Sequence, residues 1–192
     1  MPFVYIVVAV VAFIADRLTK NWAAGALRTE HGGSLPLIEN VFHLTYCENR
    51  GAAFSMMEGQ KWFLIGMTSL ICLAGVYFLF FHKKKLPVFP SICIAMAIGG
   101  ALGNLYDRIL LGYVIDMLDF CLIHFAVFNV ADSFVCVGVI LLGVWMVFFE
   151  EKQMPLQPYR WGAPKAEIPV EPAMERIENE ENNAHDSEKR DN

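Results

Sequence analysis

The sequence is poor in charge and lacks the basic surface of a nucleic-acid-binding protein. Only 18% of its 192 residues are charged, whereas 56% are hydrophobic. An ordinary soluble domain has about a quarter of its residues charged, so this composition argues against one. No basic face indicates nucleic-acid binding, and we expect no nucleic acid among the partners. The balance of residues is typical of a membrane protein.

Sequence motifs of metal sites and of nucleophilic enzymes are also missing. The five histidines show no HExxH spacing and no GxSxG occurs, so neither a zinc peptidase nor a serine hydrolase is indicated. The five cysteines are odd in number and form no CxxC pair. Cys72, Cys93 and Cys136 lie inside apolar runs, where cysteine behaves as a small hydrophobic residue. We therefore expect no metal, no disulfide and no cofactor.

The first apolar run has neither a basic segment before it nor a small-residue cleavage site after it, so we expect it to be retained. The uninterrupted run, Phe3 to Ala15, is shorter than the roughly 20 residues that a spanning helix needs. We expect the helix to continue to about residue 27 and to carry polar groups near one end. Asp16 and Lys20 are four residues apart and share a helix face. They either form an internal ion pair at the interface or shape a polar cavity.

The distribution of apolar runs predicts an all-α membrane protein with four transmembrane helices, at about 3–27, 62–81, 86–106 and 128–149. A small extracytoplasmic β platform is expected at about 28–60. Period-two alternation predicts a strand over 41–46, and 49–54 is expected to turn into a second strand. Gly32–Pro36 indicates a turn. Gly99 and Gly103 have the GxxxG spacing that permits close helix contact.

A run of lysines, Lys83 to Lys85, follows the second apolar run and sets the orientation. By the positive-inside rule, this loop is cytoplasmic. Four crossings then place both termini in the cytoplasm and the platform on the outer side. The first 149 residues hold nine residues of each charge sign, whereas 150–192 hold six basic and eleven acidic ones. We expect 150–192 to be a disordered acidic cytoplasmic tail.

Four acids lie at the outer ends of the last two predicted helices or in the connection between them, at the membrane edge where charge is costly: Asp107, Asp116, Asp119 and Asp132. We expect Asp107 to cap the third helix. Asp132 lies about one turn into the fourth helix, where Asn129 is a suitable cap and the helix dipole favours an acid. That structural interpretation competes with a catalytic one.

Two carboxylates held close together share a proton. One can then activate a water molecule while the other protonates a carbonyl oxygen. The residues alone do not decide whether Asp116 or Asp119 is the partner of Asp132. A different class of function is a small proton-coupled transporter, in which the same acids relay protons. Repeated halves are typical of such transporters, and no repeat is seen.

Five motifs then occur in order along residues 10–145: Asp16–Lys20, Asn49–Phe54, Gly99–Arg108, Gly112–Asp116 and Phe128–Asp132. Together they resemble those of the bacterial lipoprotein signal peptidase (signal peptidase II) family. The resemblance implies an intramembrane aspartic endopeptidase that cuts prolipoproteins before their diacylglyceryl-modified cysteine. It implies a catalytic dyad of Asp116 and Asp132. The substrate-binding or supporting residues that it implies are Asp16, Lys20, Asn49, Gly51, Asn104, Arg108, Asn129 and Ala131.

The resemblance also implies the surroundings of the enzyme. Residues 1–149 form its peptidase domain, in the bacterial cytoplasmic (inner) membrane, with the active site near the outer face. The implied partners are diacylglyceryl-modified prolipoprotein signal peptides and membrane lipids, and we expect a monomer. Two positions depart from the family pattern. Met117 stands where Phe is frequent, and Phe125–Val127 lacks a frequent Pro. Both changes are apolar, so we expect them to alter packing and not chemistry.

Overall fold

The computed structural model describes residues 2–29, 31–51, 57–82 and 86–149. The predicted acidic tail at 150–192, most of the predicted second strand after Asn49 and the three lysines at 83–85 lie outside the described residues. The described part is mostly helical with a small three-stranded sheet. Its helices are α1 (Pro2–Trp22), α2 (Lys61–Phe80), α3 (Val88–Leu110) and α4 (Val130–Phe149). Its strands are β1 (Ser34–Ile38), β2 (Phe42–Asn49) and β3 (Val114–Asp119).

Three helices of the described residues, α2, α3 and α4, are long and apolar enough to cross a membrane. Helix α1 carries three charged residues in its second half, and a single π-helical turn, Ala23–Leu27, extends it. Its polarity is reversed relative to a soluble helix. Asp16 and Lys20 are fully buried, whereas Val11 and Leu18 are 56% and 65% exposed. Apolar side chains outside and charged ones inside are what a lipid environment favours.

Helix α3 is the centre of the helical part and packs against α1, α2 and α4. The predicted close contact at Gly99 and Gly103 is present. A Cβ at Gly99 would collide with the main chain of Ala9 in α1, and one at Gly103 would collide with the Asp16 carboxylate. Both glycines therefore let α1 approach α3 closely enough for its buried charges to reach the side chains of α3.

Helix α3 ends four residues later than expected, so the prediction that Asp107 caps its outer end was wrong. The carbonyl of Asp107 accepts a bond from the Leu111 amide at 2.7 Å, so the residue is inside the last turns. Its side chain is fully buried against cations of α1. Those ion pairs make a buried acid tolerable within a helix. Gly112, at φ +86°, then turns the chain into β3.

The sheet has the order β1-β2-β3 and is antiparallel throughout. The strand predicted at 41–46 is confirmed as part of β2. The turn predicted over Gly32–Pro36 was wrong for its second half, because Ser34 and Pro36 belong to β1. This strand lies at the edge of the sheet, where a proline is tolerated. Strand β3, which the sequence reasoning missed, comes from the connection between α3 and α4.

The sheet is attached to the helices on two sides. Ile115 and Met117 of β3 form a buried cluster with Ala23 and Leu27 at the end of the first helix. At the edge of the sheet formed by β3, the Leu118 amide donates to the Phe128 carbonyl at 2.7 Å, and the Phe128 amide donates to the Leu118 carbonyl at 3.0 Å. These bonds place β3 beside the first residues of α4.

Candidate active site

Asp116 of β3 and Asp132 of α4 line one cavity of about 390 Å³. Asp116 is 1% exposed, whereas Asp132 is partly buried. The polar part of the wall comes from Asn49, Asn104 and Arg108, and much of the rest is apolar. The apolar wall includes the segment 125–128 between β3 and α4. Such a mixture of apolar walls and a few converging polar groups is typical of a ligand site.

Asn129, immediately before α4, joins the two acids. Its Nδ2 donates to Asp116 Oδ1 at 2.6 Å, and its Oδ1 accepts from the Asp132 amide at 2.9 Å. Asp132 Oδ2 in turn accepts from the Asn129 amide at 3.2 Å. The expected helix cap is therefore present as a reciprocal capping pair. Capping and site formation are not alternatives here, because the same two residues do both.

Asn104 of α3 continues the connection from the other side. Its Nδ2 donates to Asp132 Oδ1 at 2.7 Å, while its Oδ1 accepts from Asn129 Nδ2 at 3.0 Å. That Oδ1 also accepts from Lys20 Nζ at 2.8 Å. Because an ammonium group can only donate, Lys20 fixes which end of the Asn104 amide faces it. The opposite end, a donor, must then face Asp132.

Lys20 is fully buried and is balanced by two equally buried acids. Its Nζ lies 3.0 Å from Asp16 Oδ2 and 2.9 Å from Asp107 Oδ2. Arg17 adds a second cation, with Nη1 2.7 Å from Asp107 Oδ1. Asp16 Oδ1 accepts from the Ala131 amide at 3.1 Å and so attaches this cluster to the start of α4. Two cations and two acids leave the cluster neutral, which buried charges require.

A second chain of bonds reaches Asp116 from the sheet. Asn49 Nδ2 donates to Asp116 Oδ2 at 3.0 Å, and Asn49 Oδ1 accepts from the Gly51 amide at 2.9 Å. Arg108 Nη2 donates to the Gly51 carbonyl at 2.9 Å. The guanidinium, which lines the cavity, thus binds the segment directly after β2. It lies close enough to both acids to interact with their charge.

Burial raises the pKa of Asp116 to about 7, and the negative charge of Asp132 adds to this effect. The amide donors of Asn49 and Asn129 and the charge of Lys20 act in the opposite direction. One carboxyl of the pair is therefore able to hold a proton near neutral pH. A carboxylic acid beside a carboxylate can act as acid and base on one water molecule.

Ser133, which also lines the cavity, is not arranged as a nucleophile. Its Oγ donates to the Asn129 carbonyl at 3.1 Å and not to a side-chain base. Asp119 is also turned to a different partner, since its Oδ2 accepts from Thr45 Oγ1 at 3.0 Å. Of the two acids that the residues alone left open, Asp116 is the one that lies with Asp132.

The structure brings together all ten residues that the resemblance implied for the site. Their contacts are observed, whereas the role of each stays a prediction. Two residues that contact this group were missed as members, Arg17 and Asp107. The available signal was their position inside two of the quoted motifs, Asp16–Lys20 and Gly99–Arg108. Only the helix packing shows that the two side chains meet.

The family model described as signal peptidase (SPase) II matches residues 8–148. The chain belongs to the signal peptidase II family. It is therefore a peptidase embedded in a membrane. The cavity and both acids lie within the matched residues.

Curated relatives of the peptidase support the assignment over almost their full length. A protein of Clostridioides difficile named lipoprotein signal peptidase is 42% identical over 148 residues, which are 77% of this chain and 97% of the relative. One of Caldanaerobacter subterraneus with the same name is 46% identical over 145 residues, covering 74% and 94%.

Two solved structures, each described as a bacterial membrane enzyme, share the fold of the peptidase. The first has a TM-score of 0.68 at 29% identity and covers 84% of this chain and 94% of its own. The second has a TM-score of 0.66 at 32% identity, with 76% and 94% covered. The likeness therefore extends over nearly the whole of each solved chain.

Proposed function

We propose that this peptidase removes signal peptides from prolipoproteins by hydrolysing the bond before the diacylglyceryl-modified cysteine, with Asp116 and Asp132 as the catalytic dyad. Family membership and relatives named lipoprotein signal peptidase support the substrate class. The observation that carries the dyad is the bridge of Asn104 and Asn129 between the two carboxylates at one cavity. The other six implied residues line the cavity, contact the bridge or contact residues that do so.

In the proposed reaction, the dyad carries one proton, which burial favours on Asp116. The Asp132 carboxylate takes a proton from water as the water oxygen bonds to the scissile carbonyl carbon. Asp116 gives its proton to the carbonyl oxygen, so a neutral tetrahedral diol forms. Breakdown returns one hydroxyl proton to Asp116, while Asp132 transfers its proton to the leaving nitrogen as the C–N bond breaks. The dyad ends with one proton, as it began.

The proposed membrane arrangement has four spans, with α1 as the fourth beside the three apolar helices. The reversed polarity of α1 supports this, because its exposed side chains are all apolar from Phe3 to Leu18. Lys83–Lys85 then mark the cytoplasmic side, which places both termini in the cytoplasm and the cavity near the outer face. Residues 1–149 form the peptidase domain in the bacterial inner membrane. The lipid-anchored substrate reaches the cavity laterally from the bilayer.

The apolar wall of the cavity supports a membrane-bound substrate. Phe125, Ala126 and Val127 form part of this wall, as does Cys136 of α4. An apolar signal peptide or an acyl chain can pack there without leaving a buried polar group unpaired. All polar groups that the proposal uses come from one chain, so we propose an active monomer.

The deciding experiment is cleavage of a diacylglyceryl-modified precursor by the purified full chain, with the unmodified precursor in parallel. We expect Asp116→Asn and Asp132→Asn each to abolish cleavage while the protein still accumulates in the membrane. Glu48→Gln is the matched control, because it removes an acid from the same sheet outside the cavity, and it should retain activity. Full activity in either dyad variant would contradict the assignment. Proton flux across vesicles without cleavage would instead favour the transporter alternative.

A further inference from the structure

A group of three potential metal ligands lies outside the active site, at the end of the sheet. His43 of β2 and Asp119 of β3 are directly opposite each other in the antiparallel register. Cys121 follows two residues after Asp119, at the start of a 3₁₀ turn, Cys121–Ile123. One imidazole nitrogen, one carboxylate oxygen and the sulfur all lie within 4.8 Å of one another. Among the described residues, this group has the spacing of a metal site.

The imidazole of His43 gives an independent indication of a missing ligand. Its Nε2 is buried and has no hydrogen-bond partner among the described residues. An unsatisfied buried polar atom costs about 1–3 kcal/mol, and native proteins rarely leave one. A cation bound at this nitrogen would satisfy it. All three side chains are half-buried, so an ion can still reach them from solvent.

We propose that His43, Asp119 and Cys121 bind a divalent transition-metal ion of the zinc class. Imidazole, thiolate and one carboxylate are the ligand types that zinc uses, whereas calcium and magnesium prefer oxygen alone. Ligand atoms around a tetrahedral zinc lie roughly 3.3–3.7 Å apart, given bonds of about 2.0–2.3 Å. The separations between the three atoms, at most 4.8 Å, therefore need to decrease by no more than about 1.5 Å. Three protein ligands leave the fourth position for water.

The surroundings hold two of the ligands in place. Thr45 Oγ1 donates to Asp119 Oδ2 at 3.0 Å, and the Ser34 hydroxyl lies 3.1 Å from that of Thr45. Such second-layer bonds orient a metal-binding carboxylate. Phe120 lies between Asp119 and Cys121 in the chain, and its ring is 4.9 Å from that of Phe42, the neighbour of His43 in β2. This contact holds the segment that carries Asp119 and Cys121 against β2. A bound ion would join β2, β3 and the 3₁₀ turn at the end away from Asp116.

The test uses the full chain, purified without a histidine tag, stripped with chelator and titrated with Co²⁺. We expect saturation at one equivalent, with a thiolate-to-cobalt charge-transfer band and the intense d–d bands of a four-coordinate ion. Zinc should displace the cobalt and abolish these bands. Absence of the charge-transfer band in the wild type would overturn the proposal.

Variants identify the ligands. Cys121→Ser should lose the charge-transfer band, and His43→Gln should weaken cobalt binding by more than the roughly 10–100-fold typical of a second-layer change. Thr45→Val should weaken it by about tenfold. Cys47→Ser is the matched control, because it removes a thiol from β2, the strand that carries His43. This variant should keep the charge-transfer band. A band that survives in Cys121→Ser or disappears in Cys47→Ser would refute this ligand set.

One measurement needs no variant and so does not depend on whether the variants fold. X-ray absorption at the zinc edge of the wild type should show one sulfur with nitrogen or oxygen ligands. A shell of nitrogen and oxygen alone would contradict the proposal. Because every readout is metal binding, the outcome is independent of whether the chain cleaves prolipoproteins.

Discussion

Replacing Lys20 by methionine tests the idea that one buried cation sets the geometry of the active site. Lys20 is fully buried, and its Nζ lies within 3.0 Å of Asp16, Asp107 and Asn104. Methionine keeps the length and apolar character of the side chain but removes the charge. Removing one partner from a buried ion pair costs about 3–5 kcal/mol. Arg17 still contacts Asp107, so we expect a loss near the lower end, about 3 kcal/mol.

The effect on catalysis comes from the amide of Asn104. Without Lys20, the Asn104 Oδ1 keeps one donor, Asn129 Nδ2, instead of two, so we expect the amide to rotate more easily and to place an oxygen against Asp132. The 2.7 Å bond to Asp132 is then lost. A hydrogen bond to a charged group contributes about 1.5–3 kcal/mol. That free energy corresponds to a fall of about 10–100-fold in kcat/KM. Loss of the Lys20 charge also raises the pKa of Asp116 further, so the alkaline limb of the rate profile should move to higher pH.

The assay is cleavage of the lipidated precursor by full chain in detergent, beside unfolding by SDS titration in mixed micelles. Lys61→Met, at the start of α2, is the matched control and should change neither quantity. The double variant Lys20→Met/Asp107→Asn separates the two effects. It restores the neutrality of the buried cluster, because Arg17 then balances Asp16 alone, so stability should partly recover, whereas kcat/KM should stay low. Wild-type kcat/KM with normal stability in Lys20→Met would refute the reasoning, as would full recovery of activity in the double variant.

Cleavage should decline as pH rises through about 7, because Asp116 then loses the proton of the proposed dyad. The pKa of Asp116 in the folded chain lies above the ordinary 3.8, so the stability linked to this proton is fully present below pH 3.8 and is lost between there and about 7. A rate profile flat from pH 6 to about 9 would contradict this. Gly103→Ala should lower the free energy of unfolding in SDS titration by about 1–3 kcal/mol, because the new methyl group collides with the Asp16 carboxylate. The control Gly143→Ala, which has open space around it, should stay within about 0.5 kcal/mol of the wild type. Equal stability of the two variants would disprove the close packing. Arg108→Lys keeps the charge but loses the guanidinium that donates to the Gly51 carbonyl, so kcat/KM should fall about tenfold while the protein accumulates normally in the membrane. An unchanged kcat/KM would exclude a positioning role for Arg108.

The positions of two long helices could be predicted because a long apolar run is recognisable from contiguous residues alone. The predicted helices at about 62–81 and 128–149 agree with α2 and α4 to within two residues. The end of α3 could not be predicted from the apolar pattern alone. Asp107 looks like the end of an apolar run in the sequence, yet ion pairs with α1 let the helix continue through it. Tertiary packing thus overrode a local polarity signal.

The three-stranded sheet illustrates the same limit. Strand β2 was visible from its alternation, but β3 is almost fully buried and shows no alternation. Its pairing with β2 also contains a register shift between Leu44 and Cys47. A slip of one residue turns every side chain to the opposite face of a strand, so local sequence cannot say which acid faces the cavity.

The sequence by itself determined that this is a membrane protein with acids at the ends of its apolar runs, and its ordered motifs indicated the family. These properties reside in composition and in short contiguous segments. The tertiary structure decided that Asp116, and not Asp119, lies beside Asn129 and the cavity. It also brought His43 to a cysteine 78 positions further along the chain. Both results depend on strand register and helix contact between distant segments, which no local pattern encodes.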